Sequence, residues 1–170
     1  MELISVARRA ELIGNARSVL KLELRDHYEV DRELFAAWQA GRADALSRAA
    51  AASRDRVAAR VATGMILRRV KVVSEPLSEY QRFAFDYSVH AVAAGEDIRW
   101  LPRRLTSTVL LPGNDFFVLD DDLVIFNVLD GCDNRAEQQL HQDAETVKLC
   151  RGAFDAAWAV AVPHQAYSAR

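Results

Sequence analysis

Cysteine is almost missing from this 170-residue chain, with Cys132 and Cys150 as its only two. That is too few for a disulfide framework and points to a reducing, cytoplasmic compartment. Long apolar runs are missing too. None approaches the roughly 18 residues of a membrane span, so no membrane partner is expected. The N-terminus, Met1-Glu2-Leu3-Ile4-Ser5-Val6-Ala7-Arg8-Arg9, carries its acid first and its basic pair after the apolar residues, the reverse of a signal peptide. Only seven glycines occur, and none forms a phosphate-cradling loop, a dinucleotide fingerprint or a Gly-x-Ser-x-Gly elbow. Cys132, His141, Cys150 and His164 include no pair at the close spacing of structural zinc ligands, so neither metal nor cofactor is expected. What is present, 51% apolar and 27% charged residues, suits a single soluble globular domain spanning residues 1–170.

A formal net charge of −2 speaks against a dedicated nucleic-acid binder, but the charge is unevenly spread. From Arg42 to Lys71 eight side chains are basic and two acidic; from Asp115 to Glu145 nine are acidic and one basic. The plainer reading is two solvated faces that offset each other. The sharper one is a bipolar surface that steers a partner or a second copy of the chain, a homodimer. An Ala/Arg-rich helix over residues 43–62 presents Arg48, Arg56 and Arg60 without aromatic or amide companions, so no sequence-specific contact with nucleic acid is expected.

Periodicity predicts a helix over residues 2–14, then a half-buried strand in which Leu20, Leu22 and Leu24 alternate with Lys21, Glu23 and Arg25. Asp31 is placed to cap a helix running to about Ala40, with Gly41 as its stop. A strand follows over Ile66–Val73, interrupted by Arg68, Arg69 and Lys71. Pro76 suits the first turn of a helix capped by Ser74 or Glu75, with Leu77, Tyr80, Ala84, Tyr87 and Ala91 on its apolar stripe. Further strands are predicted over Asp97–Leu101, Asp115–Leu119 and Leu123–Val128, the last two joined by the turn Asp120-Asp121-Asp122, with a weaker strand near Ala136–His141. Asp143 caps a last helix carrying Val147, Cys150, Phe154, Ala157, Trp158 and Ala161 inward. This order predicts an α/β fold: a central mixed sheet with helices on both faces and a C-terminal covering helix.

The strand–turn–helix over residues 68–83 is where such a domain collects a ligand, beyond the carboxyl ends of its strands. If the strands are parallel neighbours, Arg25, Asp26 and Tyr28 converge with Glu75, Tyr80 and Arg82 and with Trp100, Arg103 and Arg104 on one rim; Ser74, Glu96 and Asp115 are further candidates for binding a ligand or partner. Carboxylates, guanidinium groups and aromatic faces together suit a polar ligand or peptide. Read structurally, the same residues are ion pairs around a core Trp100, and Ser74 is a helix cap rather than a nucleophile.

Several blocks closely resemble an actinobacterial family of unknown function. They are Leu22-Glu23-Leu24-Arg25-Asp26-His27-Tyr28, Arg68 to Ser78, Ala93 to Arg103, Leu111 to Phe117, Val147-Lys148-Leu149-Cys150, and the tail Trp158 to Tyr167 with Pro163-His164. The resemblance covers nearly the whole chain and implies a companion of helix-turn-helix regulators with no established activity. Phe117 departs from the family's usual Trp, and Val128 stands where relatives often carry His. From Gly64 onward the layout is also similar to a phospholipase-D-like half-domain. That superfamily's His-x-Lys followed by Asp is absent: His27, His90, His141 and His164 each lack a Lys two positions on. Without its nucleophilic His the resemblance implies a binding descendant.

The expectation is a non-catalytic, cytoplasmic binding or regulatory module that partners a helix-turn-helix regulator, its own second copy or a polar small molecule. One alternative is an enzyme using Glu75, Glu96 or Asp115 as general base; another is a purely structural subunit. An enzyme should bury one of those carboxylates unpaired in a closed pocket. A binding module should pair them with Arg99, Arg103 or Arg104.

Overall fold

Alternation in the first long strand organises the molecule. The structure, a computed structural model, describes residues 1–168. In chain order its elements are β1 (Glu2–Leu3), α1 (Val6–Asn15), β2 (Ser18–Glu23), α2 (Arg32–Gln39), α3 (Ala43–Ala62), β3 (Ile66–Val73), α4 (Glu79–Ala93), β4 (Asp97–Pro102), β5 (Asp115–Leu119), β6 (Leu123–Leu129), β7 (Arg135–His141), α5 (Ala144–Val160) and β8 (Val162–Pro163). The strands form one mixed sheet in the order β1-β7-β6-β5-β2-β3-β4-β8. β2, β3 and β4 run parallel and adjacent, so their carboxyl ends share one rim. This is an α/β fold.

Even-numbered residues of β2 face α5. Leu20 and Leu22 pack with Val70, Val72, Leu101, Phe116, Val118 and Val124 against Val147, Cys150, Phe154 and Ala157. Burial in that layer raises the Cys150 thiol pKa to about 11. The opposite face is covered by α1, α3 and α4, whose Ile13, Val57 and Ala91 meet Val19, Leu67, Ile98, Phe117, Ile125 and Leu140. Beyond it an aromatic cluster of Tyr80, Phe83, Trp100 and Tyr167 takes in Phe35 and Trp38 of α2.

Local chemistry sets the boundaries. Ser5, Ser78 and Asp143 cap α1, α4 and α5 by accepting from the amides of Arg8, Gln81 and Thr146. Asp120 and Asp121 take left-handed φ values of 54° and 58° in the β5–β6 turn, and Asp120 also accepts from the Arg17 and Ser18 amides. Gly95 turns at φ 104°, a conformation that strains any other residue, and an added Cβ would press on Val61 Cγ1 of α3 at 3.1 Å.

Four expectations need correction. Residues 2–14 are not one helix: Glu2–Leu3 pair antiparallel with β7 and cover part of its open edge. The helix after β3 starts at Glu79 under a Ser78 cap, leaving Ser74, Glu75 and Pro76 in the preceding turn. Asp31 precedes α2 without capping it, because its carboxylate accepts instead from the Tyr80 hydroxyl at 2.6 Å. β2 is not half-buried: helices cover its polar face too, leaving Glu23 only 6% exposed.

Candidate functional site

The parallel register sets Lys21 beside Arg69 and Glu23 beside Lys71. These odd-numbered residues share the face carrying Val19 and Leu67, because side chains alternate across a strand. Across the antiparallel half of the sheet, Phe117 lies opposite Lys21, Asn127 opposite Asp115, and Gln138 opposite Asn127. A charged and amide-bearing floor therefore lies beneath the helices.

Glu23 is its hub, taking ion pairs from Lys21 and Lys71, with Arg69 Nη1 3.6 Å away. Burial alone would raise the Glu23 pKa, but Lys21, Lys71 and Arg69 outweigh it and hold the carboxyl well below its usual range. Arg69 places Nε and Nη2 each 2.8 Å from Glu96 Oε1. Burial works against the Arg69 charge, yet Glu96 and Glu23 raise its pKa overall. Lys21 ends on the other side: burial lowers its pKa by more than Glu23 restores. Three cations, Lys21, Arg69 and Lys71, thus stand around two carboxylates, Glu23 and Glu96.

Arg9 of α1 adds a further cation. Its Nη1 donates to Asn127 Oδ1 and Gln138 Oε1, both at 3.0 Å, which are neutral acceptors. Its Nε is buried with no acceptor among the described residues. Burial, then repulsion from Arg135, lowers its pKa.

Asp115 opens β5, accepting from the Leu24 amide and from the Tyr28 hydroxyl, both at 2.7 Å. Burial raises its pKa against the opposing Tyr28 bond, and burial followed by Glu23 and Asp115 raises that of Tyr28 well above the ordinary phenol value. Over this floor lies a hollow of about 250 Å³, walled by Tyr28, Asp31, Leu34, Phe83, Tyr87 and Asp133. A second hollow of about 330 Å³ shares Arg9, Lys21, Arg69 and Phe117 with it and is lined further by Ser53, Arg56 and Arg60 of α3 together with Glu96.

The strand-end rim converges as the parallel strands imply. Ser74 donates its amide and hydroxyl to Asp26 at 2.8 and 2.6 Å. Arg103 donates to Ser74 Oγ at 3.1 Å, to the Leu24 carbonyl at 2.6 Å and to Asp26 at 3.3 Å. Glu75 accepts from Arg104 and from the Tyr167 hydroxyl, both at 2.9 Å. These groups direct their hydrogen bonds at one another. Trp100 is wholly buried and donates to His164 Nδ1 at 3.0 Å. Tyr80 is buried against Asp31, Arg25 sits at the surface 3.9 Å from Asp133, and Arg82 is exposed on α4.

The three carboxylates weighed as general bases part ways. Glu75 pairs with Arg104, Glu96 pairs with Arg69 rather than with Arg99, Arg103 or Arg104, and Asp115 bonds no cation among the described residues. Of the candidate residues, Tyr28, Glu96 and Asp115 line the hollows rather than the rim. Lys21, Glu23, Arg69, Lys71 and Arg9 escaped sequence reasoning. The available signal was charge at alternate positions of two strands in the middle of a sheet with helices on both faces, where such strands ordinarily read as apolar.

Among the described residues, no three His, Cys, Asp or Glu side chains are grouped to hold a metal ion, and no helix is long and apolar enough to cross a membrane. Fold and site define a mixed α/β domain with a charged recess between its sheet and helices. The chain belongs to the family described as Domain of unknown function (DUF6879), which matches residues 7–169. No curated protein matches it.

Proposed function

We propose that the chain is a non-catalytic binding module that holds a polar small molecule in the recess between α1, α3, α4 and the sheet. One observation carries this reading: beside open space, buried Lys71 and partly buried Lys21, Arg69 and Arg9 stand against Glu23, Glu96 and Asp115, four cations to three carboxylates. Buried charge without a partner is costly, and a fold keeps such an arrangement where a ligand completes it. The acids and aromatic rings around the first hollow supply the few directional groups that a small-molecule site requires. In this reading the rim network of Asp26, Ser74 and Arg103 fixes the strand ends on which the recess is built. The resemblance to companions of helix-turn-helix regulators supplies the destination: ligand occupancy is passed to such a regulator in the cytoplasm.

Native mass spectrometry of the untagged protein tests this reading. A retained small molecule that is lost from Lys21→Met and Tyr87→Ala supports it; a chain that retains nothing, and whose melting temperature no polar metabolite shifts, counts against it.

Asp115 favours a second reading, because it is buried, raised in pKa and, among the described residues, bonded to no cation. There it would take a proton from the bound molecule. Asp115→Asn would then retain the ligand and abolish its conversion, whereas in the binding reading nothing is converted by either protein.

A further inference from the structure

The two hollows differ in the charge of their walls. Asp31, Asp115 and Asp133 line the first, offering acceptors to N–H or O–H groups of a ligand. The second holds one acid, Glu96, already engaged by both donors of the Arg69 fork. Opposite it stand Arg56 and Arg60 of α3, with Arg9 between the hollows. Arg68 also borders the second hollow but turns its guanidinium to the Trp158 ring, 5.4 Å away on the other face of the sheet. Among the described residues Arg9, Arg56 and Arg60 form no ion pair, and Arg9 Nε has no acceptor at all.

Resting on the binding reading above, we propose that the second hollow receives a phosphate group of the ligand, whose hydrogen-bond-donating body lies in the first. Guanidinium forks match phosphate oxygens in pairs and are less costly to desolvate than an ammonium group. A phosphate monoester brings three acceptor oxygens and close to two negative charges at neutral pH, enough for the orphaned Arg9 donor and both α3 arginines. A carboxylate brings two oxygens and one charge, and leaves most of these donors unanswered. Lys21 and Arg69 lie beneath both hollows, and the differing walls set the ligand's polarity: phosphate toward the α3 arginines, donors toward Asp31 and Asp133.

The test uses inorganic phosphate and pyrophosphate, titrated into the full chain at an ionic strength held constant with sodium chloride. Binding is read by melting temperature and by the ³¹P resonance. Phosphate is expected to raise the melting temperature of the wild type. Its affinity should fall at least tenfold in Arg60→Gln and in Arg56→Gln, the latter at an exposed position where folding is safe. Arg48→Gln, on the same helix but away from the hollow, should bind as the wild type does. A wild type indifferent to both anions, or α3 variants that bind them unimpaired, overturns the proposal. If the indifferent protein still retains a phosphate-free molecule in native mass spectrometry, the binding reading stands and the phosphate assignment alone falls; if it retains nothing, both fall.

Discussion

The two faces of the central sheet are built from alternate residues of the same strands, yet they are held by different physics. Toward α5, Leu22, Val70, Leu101, Phe116 and Phe154 are almost completely buried and apolar. Their stability comes from area removed from water and from close packing. Toward α1, α3 and α4, the neighbouring positions Lys21, Glu23, Arg69 and Lys71 carry charges that must be paired against a desolvation cost. One face is apolar and closely packed; the other sets charged groups around a recess. Such a division is expected where a rigid layer holds a site in place.

Substitutions on the two faces should therefore fail in different ways. Phe154→Ala removes a ring that is 1% exposed and should cost about 4 kcal/mol in urea unfolding, with little dependence on pH. Glu23→Gln leaves Lys21, Lys71 and Arg69 short of their shared carboxylate and should cost about 3 kcal/mol at neutral pH. Its signature is the pH profile. The folded Glu23 pKa is depressed, so its contribution is fully present above the unfolded value of about 4.3 and is lost as pH falls toward the folded one. Glu23→Gln should flatten that acid limb, and an acid limb unchanged by the substitution would remove Glu23 from the centre of the site. Asp115 has the opposite sign, because a raised carboxyl costs stability at neutral pH and the cost is relieved as pH falls through its folded pKa.

Tyr28→Phe removes a hydrogen bond to buried Asp115 and should cost about 2 kcal/mol, measured by thermal or urea unfolding. The smallest effect is expected at the rim. Glu75→Ala breaks a contact with Arg104, whose side chain is 69% exposed, and one hydrogen bond from Tyr167, and should cost about 1 kcal/mol. A larger loss there would show that the rim, rather than the recess, holds the strained chemistry of this domain.

Much of the frame is legible from local patterns: the Asp143 cap, the Asp120–Asp122 hairpin and the covering helix α5 follow from residue spacing, and the mixed sheet from the order of the elements. The charged floor does not. Leu20-Lys21-Leu22-Glu23 reads identically whether its polar side meets water or a layer of helices, and only the packing of α1, α3 and α4 decides between them. Arg9 reaches Asn127 and Gln138 across 118 and 129 residues of chain, a contact that no local window contains. Asp31 looks like a cap because capping is local, but a buried Tyr80 hydroxyl from another helix claims it. The rim at Glu75 and Arg103 was foreseeable because it depends only on strand direction.

Lys21→Met separates a site from a scaffold most directly. Glu23 keeps Lys71 and Arg69, so removing the surplus ammonium should leave the unliganded protein as stable as before or raise its melting temperature by a few degrees, while ligand retention in native mass spectrometry is lost. A variant that melts well below the wild type and still retains its ligand would contradict the assignment of this charge to binding.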